Sequence, residues 1–264
     1  MANLTIRPIN TGSMGIPGLY FFHSSLMPVY SLPTIMEGSP VFCYLVEGGD
    51  KPLLIDTGMS TTERAHKYHF PTAFQPEGMS IIDQLAKLGY KPEDIGHVVL
   101  THLHWDHSYN LEYFVNARFY AHPTEIAFAK DPLPSQYKAY EHPLLDVQSP
   151  HSKVTIEPVS EGVEIIPGVS VLDTPGHSPG HISIVVKAAS GEYVCTGDAL
   201  ATPDNLKPVE ELHYPISPPG IQLDFISGWA SVEKIKARVT GPDRVLCGHD
   251  RKLIERIATD PVLR

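Results

Sequence analysis

Residues 99–110 read VLTHLHWDHSYN, and within six positions they place His102, His104, Asp106 and His107. The stretch HVVL that leads into them is apolar and β-branched, the pattern of a short buried strand, so the cluster begins where a strand ends. In extended chain, side chains two apart share a face. That aims His102 and His104 the same way, with Asp106 and His107 following where the chain turns. Imidazole and carboxylate suit borderline divalent ions such as zinc, the alternating histidines serving one centre and the Asp-His pair another. Four donors leave two centres short, so more are expected at other strand ends. His177 in DTPGHSPGH, Asp198 in CTGDAL and His249 in LCGHD all stand at such ends, each directly after a glycine that lets backbone approach closely.

The chain around these residues looks like one enzyme-sized body. With 264 residues, 42% of them apolar and 19% charged, it can bury a substantial core, and it has no low-complexity tract. A formal charge of -10, with no dense Lys/Arg run, disfavours nucleic acid as a partner. MANLTIRPIN lacks an apolar signal core and no later run is long enough to span a bilayer, so a protein without membrane partners is expected. Cys43, Cys195 and Cys247 sit singly in apolar runs, which predicts reduced, buried thiols and a cytoplasmic location.

Strands and helices alternate along the chain. After a Gly/Pro-rich opening, VFCYLVEGG and KPLLIDTGM read as a hairpin, SIIDQLAKLGY as a helix, ARFYAHP as a strand and residues 123–130 as a helix opened by proline. Residues 131–153 hold four prolines among tyrosines and histidines and read as an irregular insertion or lid. VTIEPV, VEIIPG, VSVLDTPG, HISIVVKA and EYVCTGDAL then form a series of strands. WASVEKIKARV reads as a helix, RVLCGHD as a strand and KLIERIA as a last helix. Strands with interspersed helices, twice over and with no linker, predict one domain over residues 1–264 built as two sheets between helices.

Together the motifs resemble those of the metallo-β-lactamase superfamily, whose HxHxDH motif is matched by His102, His104, Asp106 and His107, and whose later ligands fall on His177, Asp198 and His249. The resemblance implies an α+β fold, an αββα sandwich of two mixed β-sheets flanked by helices, with a site for two divalent ions, most simply Zn2+, at one edge. It implies that His102, His104 and His177 hold one ion, that Asp106, His107 and His249 hold the other, and that Asp198 bridges them. Asp56 in LLIDTG matches an aspartate that supports the ligands from behind. The chemistry implied is hydrolysis by a hydroxide held between the ions, with Asp198 and Asp106 in the catalytic machinery.

HSSLMP, VFCYLVEGG, LLIDTGMS, DTPGHSPGH and CGHD are most similar to the N-acyl homoserine lactonases, the quorum-quenching lactonase group. Two departures stand out. Where that group places a tyrosine, three residues after the bridging aspartate, this chain has Ala201, and Tyr214 nearby is the candidate to supply the hydroxyl instead. SYN follows His107 where small residues with glycine are common, so bulk there is expected to reshape the pocket. Trp105, Phe70 and Tyr109 are the candidate substrate contacts, as aromatic walls for an apolar substrate.

The expected function is metal-dependent opening of a small lactone, or cleavage of a related ester or amide, on a small-molecule substrate with a carbonyl ester-type bond. Thioester and β-lactam hydrolysis share the ligand set, and iron-containing oxidoreductases share the fold; a homodimer is left open. His23, His66, His69, His97, His122, His142 and His151 are taken as solvated or core-satisfied side chains. His181 is assigned to ligand support or ordinary hydrogen bonding, and His213 to lid surface or substrate contact.

Overall fold

The computed structural model describes residues 4–264. Strand β1 (Thr5–Pro17) leads through the short helix α1 (Gly18–Phe21) to β2 (Ile35–Glu47), which pairs antiparallel with it and then with β3 (Leu53–Ile55). Helices α2 (Thr62–Tyr68) and α3 (Ile81–Lys87) precede β4 (His97–Val99), the four-residue helix α4 (Trp105–Ser108), β5 (Arg118–Ala121), α5 (Pro123–Lys130) and β6 (Ile156–Pro158). The strands from β3 to β6 run parallel, so the first sheet is mixed, with the order β1-β2-β3-β4-β5-β6.

The second sheet takes β7 (Glu164–Ile166), β8 (Val169–Asp173), β9 (Ile182–Ala188) and β10 (Gly191–Gly197) as an antiparallel meander. Helix α6 (Phe225–Arg238) then crosses over so that β11 (Val245–Cys247) pairs parallel with β10, and α7 (Arg251–Thr259) follows.

The inner strands, such as β3, β9 and β11, are buried on both faces, which is why they read as unbroken apolar runs. Alternate residues divide between layers. Phe42, Tyr44 and Val46 of β2 meet Val171, Ile184, Val186 and Cys195 between the sheets. Cys43 and Leu45 face outward onto Ile81 and Leu85 of α3, and Val185 and Val194 face outward onto Val232 and Ile235 of α6. This is the αββα sandwich, with helices outside two mixed sheets.

Three elements depart from the sequence expectation. The Gly/Pro-rich opening is the long strand β1, whose register slips between Asn10 and Ser13 and again between Met14 and Ile16; the slips break the alternation that marks a strand. Helix α2 buries only Ala65, so its sequence carries no apolar stripe, and it is started by the Thr61 cap. Helix α6 starts at Phe225, four residues ahead of the expected Trp229, because Asp224 caps it with bonds to the Ile226 and Ser227 amides and Gly228 sits inside it. A Cβ at Gly228 would press on the Gln222 side chain, 2.5 Å from its Oε1.

Candidate metal centre and substrate cavity

All seven candidate ligands meet at the edge where β4, β8, β10 and β11 end. His102, His104 and His177 form one group whose donor atoms lie within 4.8 Å of one another; Asp106, His107 and His249 form a second, and His102, His107 and Asp198 a third that overlaps both. The two oxygens of Asp198 divide between the groups. Oδ1 is 3.3 Å from His107 Nε2 and 3.4 Å from His249 Nε2, while Oδ2 is 3.5 Å from His177 Nε2.

Four of the five rings are aimed by a hydrogen bond on the far side, while His104 Nδ1 lies 3.0 Å from His177 Nε2 inside the cluster. His107 Nδ1 donates to Asp56 Oδ2 at 2.8 Å, His177 Nδ1 to the Ile221 carbonyl at 2.9 Å and His249 Nδ1 to the Pro40 carbonyl at 2.7 Å. Asp56 also accepts from the Thr101 amide at 2.8 Å and the Thr101 hydroxyl at 2.9 Å. The hydroxyl proton being thus committed, Thr101 Oγ1 accepts from His102 Nδ1, 3.1 Å away. Asp56 reaches all three donors from a left-handed backbone, φ 58°, which aspartate tolerates better than most side chains.

Several donor atoms of the cluster are unpaired. His102 Nε2, His104 Nε2, His107 Nε2 and Asp198 Oδ1 are buried without a hydrogen-bond partner among the described residues. Buried polar atoms are rarely left this way unless an ion or water completes them. Burial, with neighbouring histidines adding to it, pushes His102 and His104 well below the usual imidazole range, so both are neutral donors. Burial acts the same way on His107 but is outweighed by Asp198, Asp106 and Asp56, which hold it well above that range. Burial would raise Asp198, yet His249, His107 and His177 hold its carboxyl well below the carboxylate range. The cluster is a set of N and O donors converging on one volume, and it fits two divalent ions.

Glycine makes the approach possible. A Cβ at Gly197, whose φ is +48°, would lie 2.6 Å from Thr101 Oγ1, and one at Gly248 would lie 2.9 Å from Asp198 Oδ1. His181 is not a free donor. Its Nδ1 pairs with Thr174 Oγ1 at 3.0 Å and its Nε2 accepts from the Asp198 amide at 3.1 Å, so it braces the turn that carries Asp198.

A cavity of about 400 Å³ opens over the cluster, with His104, Asp106, His177, Asp198 and His249 in its floor. Trp105 and Phe70 line it, as does Ala201; Met14, Ile16 and Phe21 add apolar surface, and Ser135, Gln136, Lys138 and Ala139 bring the irregular segment to it. Two expected substrate contacts lie elsewhere. Tyr109 faces Arg64, whose guanidinium carbon is 5.2 Å from its ring centre, and Tyr214 packs edge-on against Trp229 at 5.4 Å. Neither lines the cavity, and Tyr214 is held in a segment, 209–214, that closes on itself through the Val209–Tyr214 bridge. The tyrosine that does line it is Tyr20.

SYN does not reshape the pocket either. Ser108 Oγ reaches the His104 carbonyl at 3.0 Å, within the motif, and Asn110 Nδ2 reaches the carbonyls of Thr57 at 2.8 Å and Met59 at 3.1 Å, fastening the motif to the Asp56 loop.

Two residues the sequence does not single out belong to the site. Glu125, fully buried in the first turn of α5, accepts from the Leu103 amide at 3.0 Å, Tyr140 Oη at 2.8 Å, Ser178 Oγ at 2.6 Å and the Gly180 amide at 3.2 Å. It ties the loop between His102 and His104 to the loop after His177. In sequence it is an ordinary helix-opening acid. His69, taken as a bystander, lines the cavity and stacks on Trp105 with ring centres 4.1 Å apart; its position beside Phe70 is the only local signal.

The sequence model of the metallo-beta-lactamase superfamily matches residues 36–249, a span that includes Asp56 and all seven donors. The chain belongs to that superfamily, and fold and site together define it as a metal-dependent hydrolase. An N-acyl homoserine lactonase of Bacillus thuringiensis is 29% identical over 254 residues, covering 90% of this chain and 94% of its own. Another, from a Bacillus species, is 31% identical over 197 residues, or 70% and 73% of the two chains. A solved N-acyl homoserine lactone hydrolase, with the product N-hexanoyl-L-homoserine at its catalytic metal centre, shares the fold over 97% of both chains with a TM-score of 0.77 and 23% identity.

Proposed function

We propose that this chain opens the ring ester of small lactones, N-acyl homoserine lactones foremost, using two divalent ions, most simply zinc. The observation that carries this is the split of Asp198: one oxygen toward His107 and His249, the other toward His177, at the floor of an apolar cavity. Extensive likeness to lactonases supports the choice of a cyclic ester over thioester or β-lactam.

His102, His104 and His177 would hold one ion, Asp106, His107 and His249 the other, and Asp198 would stand between them. Two divalent ions so held supply an activated water at neutral pH and polarisation of the ester carbonyl. The chain's residues do the rest. Asp56 and the Ile221 and Pro40 carbonyls keep the far nitrogens of His107, His177 and His249 protonated, so that each Nε2 presents a lone pair. Trp105, Phe70, Met14 and Ile16 bind the apolar substituent and exclude bulk water. Tyr20 takes the place expected of Tyr214, donating its phenolic proton to a substrate oxygen. Asp106, in the floor, takes the proton that the attacking water loses and delivers it to the ring oxygen as the ester C–O bond breaks.

The chain acts as one domain in which residues 131–153 form cavity wall. No described helix is long and apolar enough to cross a membrane, and three buried free cysteines support a reducing, cytoplasmic setting. The test is acid release in a pH-stat from a panel of lactones, with a thioester and a β-lactam beside them, before and after chelation. Chelator-sensitive release from acyl homoserine lactones is expected. No release from any lactone, or tightly bound iron with redox turnover, overturns the reading.

A further inference from the structure

Three consecutive residues of the irregular segment each grip the site. The Ala139 carbonyl accepts from the Trp105 amide at 2.8 Å. Tyr140 lies edge-on to His104, with ring centres 4.7 Å apart, and donates to Glu125 at 2.8 Å. Glu141, 1% exposed, accepts from His69 Nε2 at 2.8 Å and from Arg64 Nε and Nη2 at 3.0 and 2.8 Å.

The end of this chain of contacts is the indole. His69 lies flat on Trp105, their planes 4° apart, and its side chain is 1% exposed. Arg64, which anchors the other side of Glu141, is itself packed over the rings of Tyr68 and Tyr109. Glu141 holds this arrangement from a left-handed backbone, φ 49°, a conformation that persists in a glutamate only when its surroundings impose it. Burial pushes the Glu141 carboxyl up, but the bonds from His69 and Arg64 hold it below the usual range, so the network keeps a carboxylate at its centre.

A stacked aromatic pair restrains rotation of both rings, and a hydrogen bond to a buried, doubly anchored carboxylate fixes one of them. Nothing in the proposed chemistry uses His69, Glu141 or Arg64. We infer that Arg64, Glu141 and His69 form a clamp that immobilises the Trp105 indole as the cavity wall, making His69 a positioning residue that sets selectivity for the substrate's apolar substituent. The selectivity rests on the lactonase reading; the clamp does not.

The experiment uses the metal-loaded enzyme with Trp229→Phe, which leaves Trp105 as the only tryptophan of the two in the chain. Time-resolved fluorescence anisotropy then reports local motion of Trp105 alone. With the clamp intact the indole follows overall tumbling; His69→Ala adds a fast decay component, Glu141→Gln a smaller one, and His69→Phe, which restores the stack, suppresses it. In parallel, His69→Ala lowers the kcat/KM preference for lactones with long over short apolar substituents by about fivefold, through KM and with kcat held. Bound metal, measured by elemental analysis, stays unchanged. An unchanged anisotropy decay, an unchanged preference or lost metal each overturns the inference. If no lactone is turned over, the functional reading falls while the decay still upholds or overturns the clamp.

Discussion

The floor of the cavity and its wall are built on different principles. In the floor, side chains from four strand ends converge, and four of the seven are fixed by a hydrogen bond behind the ring: Thr101 behind His102, Asp56 behind His107, Ile221 behind His177 and Pro40 behind His249. In the wall, Tyr20, His69, Phe70, Ser135, Gln136, Lys138, Ala139 and Ala201 come from loops and short helices, and His69 is steadied by Glu141 of another loop. A floor of this kind fixes the chemistry; a wall of this kind leaves the substrate adjustable.

The largest effect is expected in the floor. Asp198→Ala removes the carboxylate between the two groups and leaves fewer than two ions per chain, with kcat/KM down on the order of 10³-fold. Elemental analysis and steady-state kinetics check it together. Retention of both ions would mean that the two groups are not coupled through Asp198. Next comes Asp56→Ala, which touches no ion yet frees His107 Nδ1 and strands Thr101; metal affinity falls about 10–100-fold, measured by competition with a chelator. Were affinity unchanged, the floor would not be interlocked in the way the hydrogen bonds imply.

The wall gives smaller and more selective losses. Tyr20→Phe lowers kcat for lactone opening about tenfold with metal content intact, whereas Tyr214→Phe, remote from the cavity, changes kcat by less than about twofold. The reverse outcome would return the hydroxyl to Tyr214 and require its loop to reorganise around substrate.

The same contrast explains what the sequence discloses. Ligands cluster within six residues or follow a glycine at a strand end, because close packing around small ions leaves few side chains and few backbone shapes that fit. The strands are legible where both faces are buried, as in β9, and illegible in β1, where two register slips erase the period. Tyr20, His69 and Glu125 carry no such mark. Glu125 and His69 show their roles only through partners dozens of residues away, Ser178 and Glu141, and Tyr20 only through its place on the cavity. Tyr109 and Tyr214 looked suitable by proximity in sequence, but which way a side chain faces is decided by tertiary contacts, here Arg64 and Trp229.

The central claim is that the seven donors form one paired centre. Anomalous diffraction at the zinc edge, on crystals of the zinc-loaded protein, tests it most directly. Two peaks are predicted, one among His102, His104 and His177 and one among Asp106, His107 and His249, with Asp198 between them. A single peak, or zinc bound only away from these residues, would contradict the account.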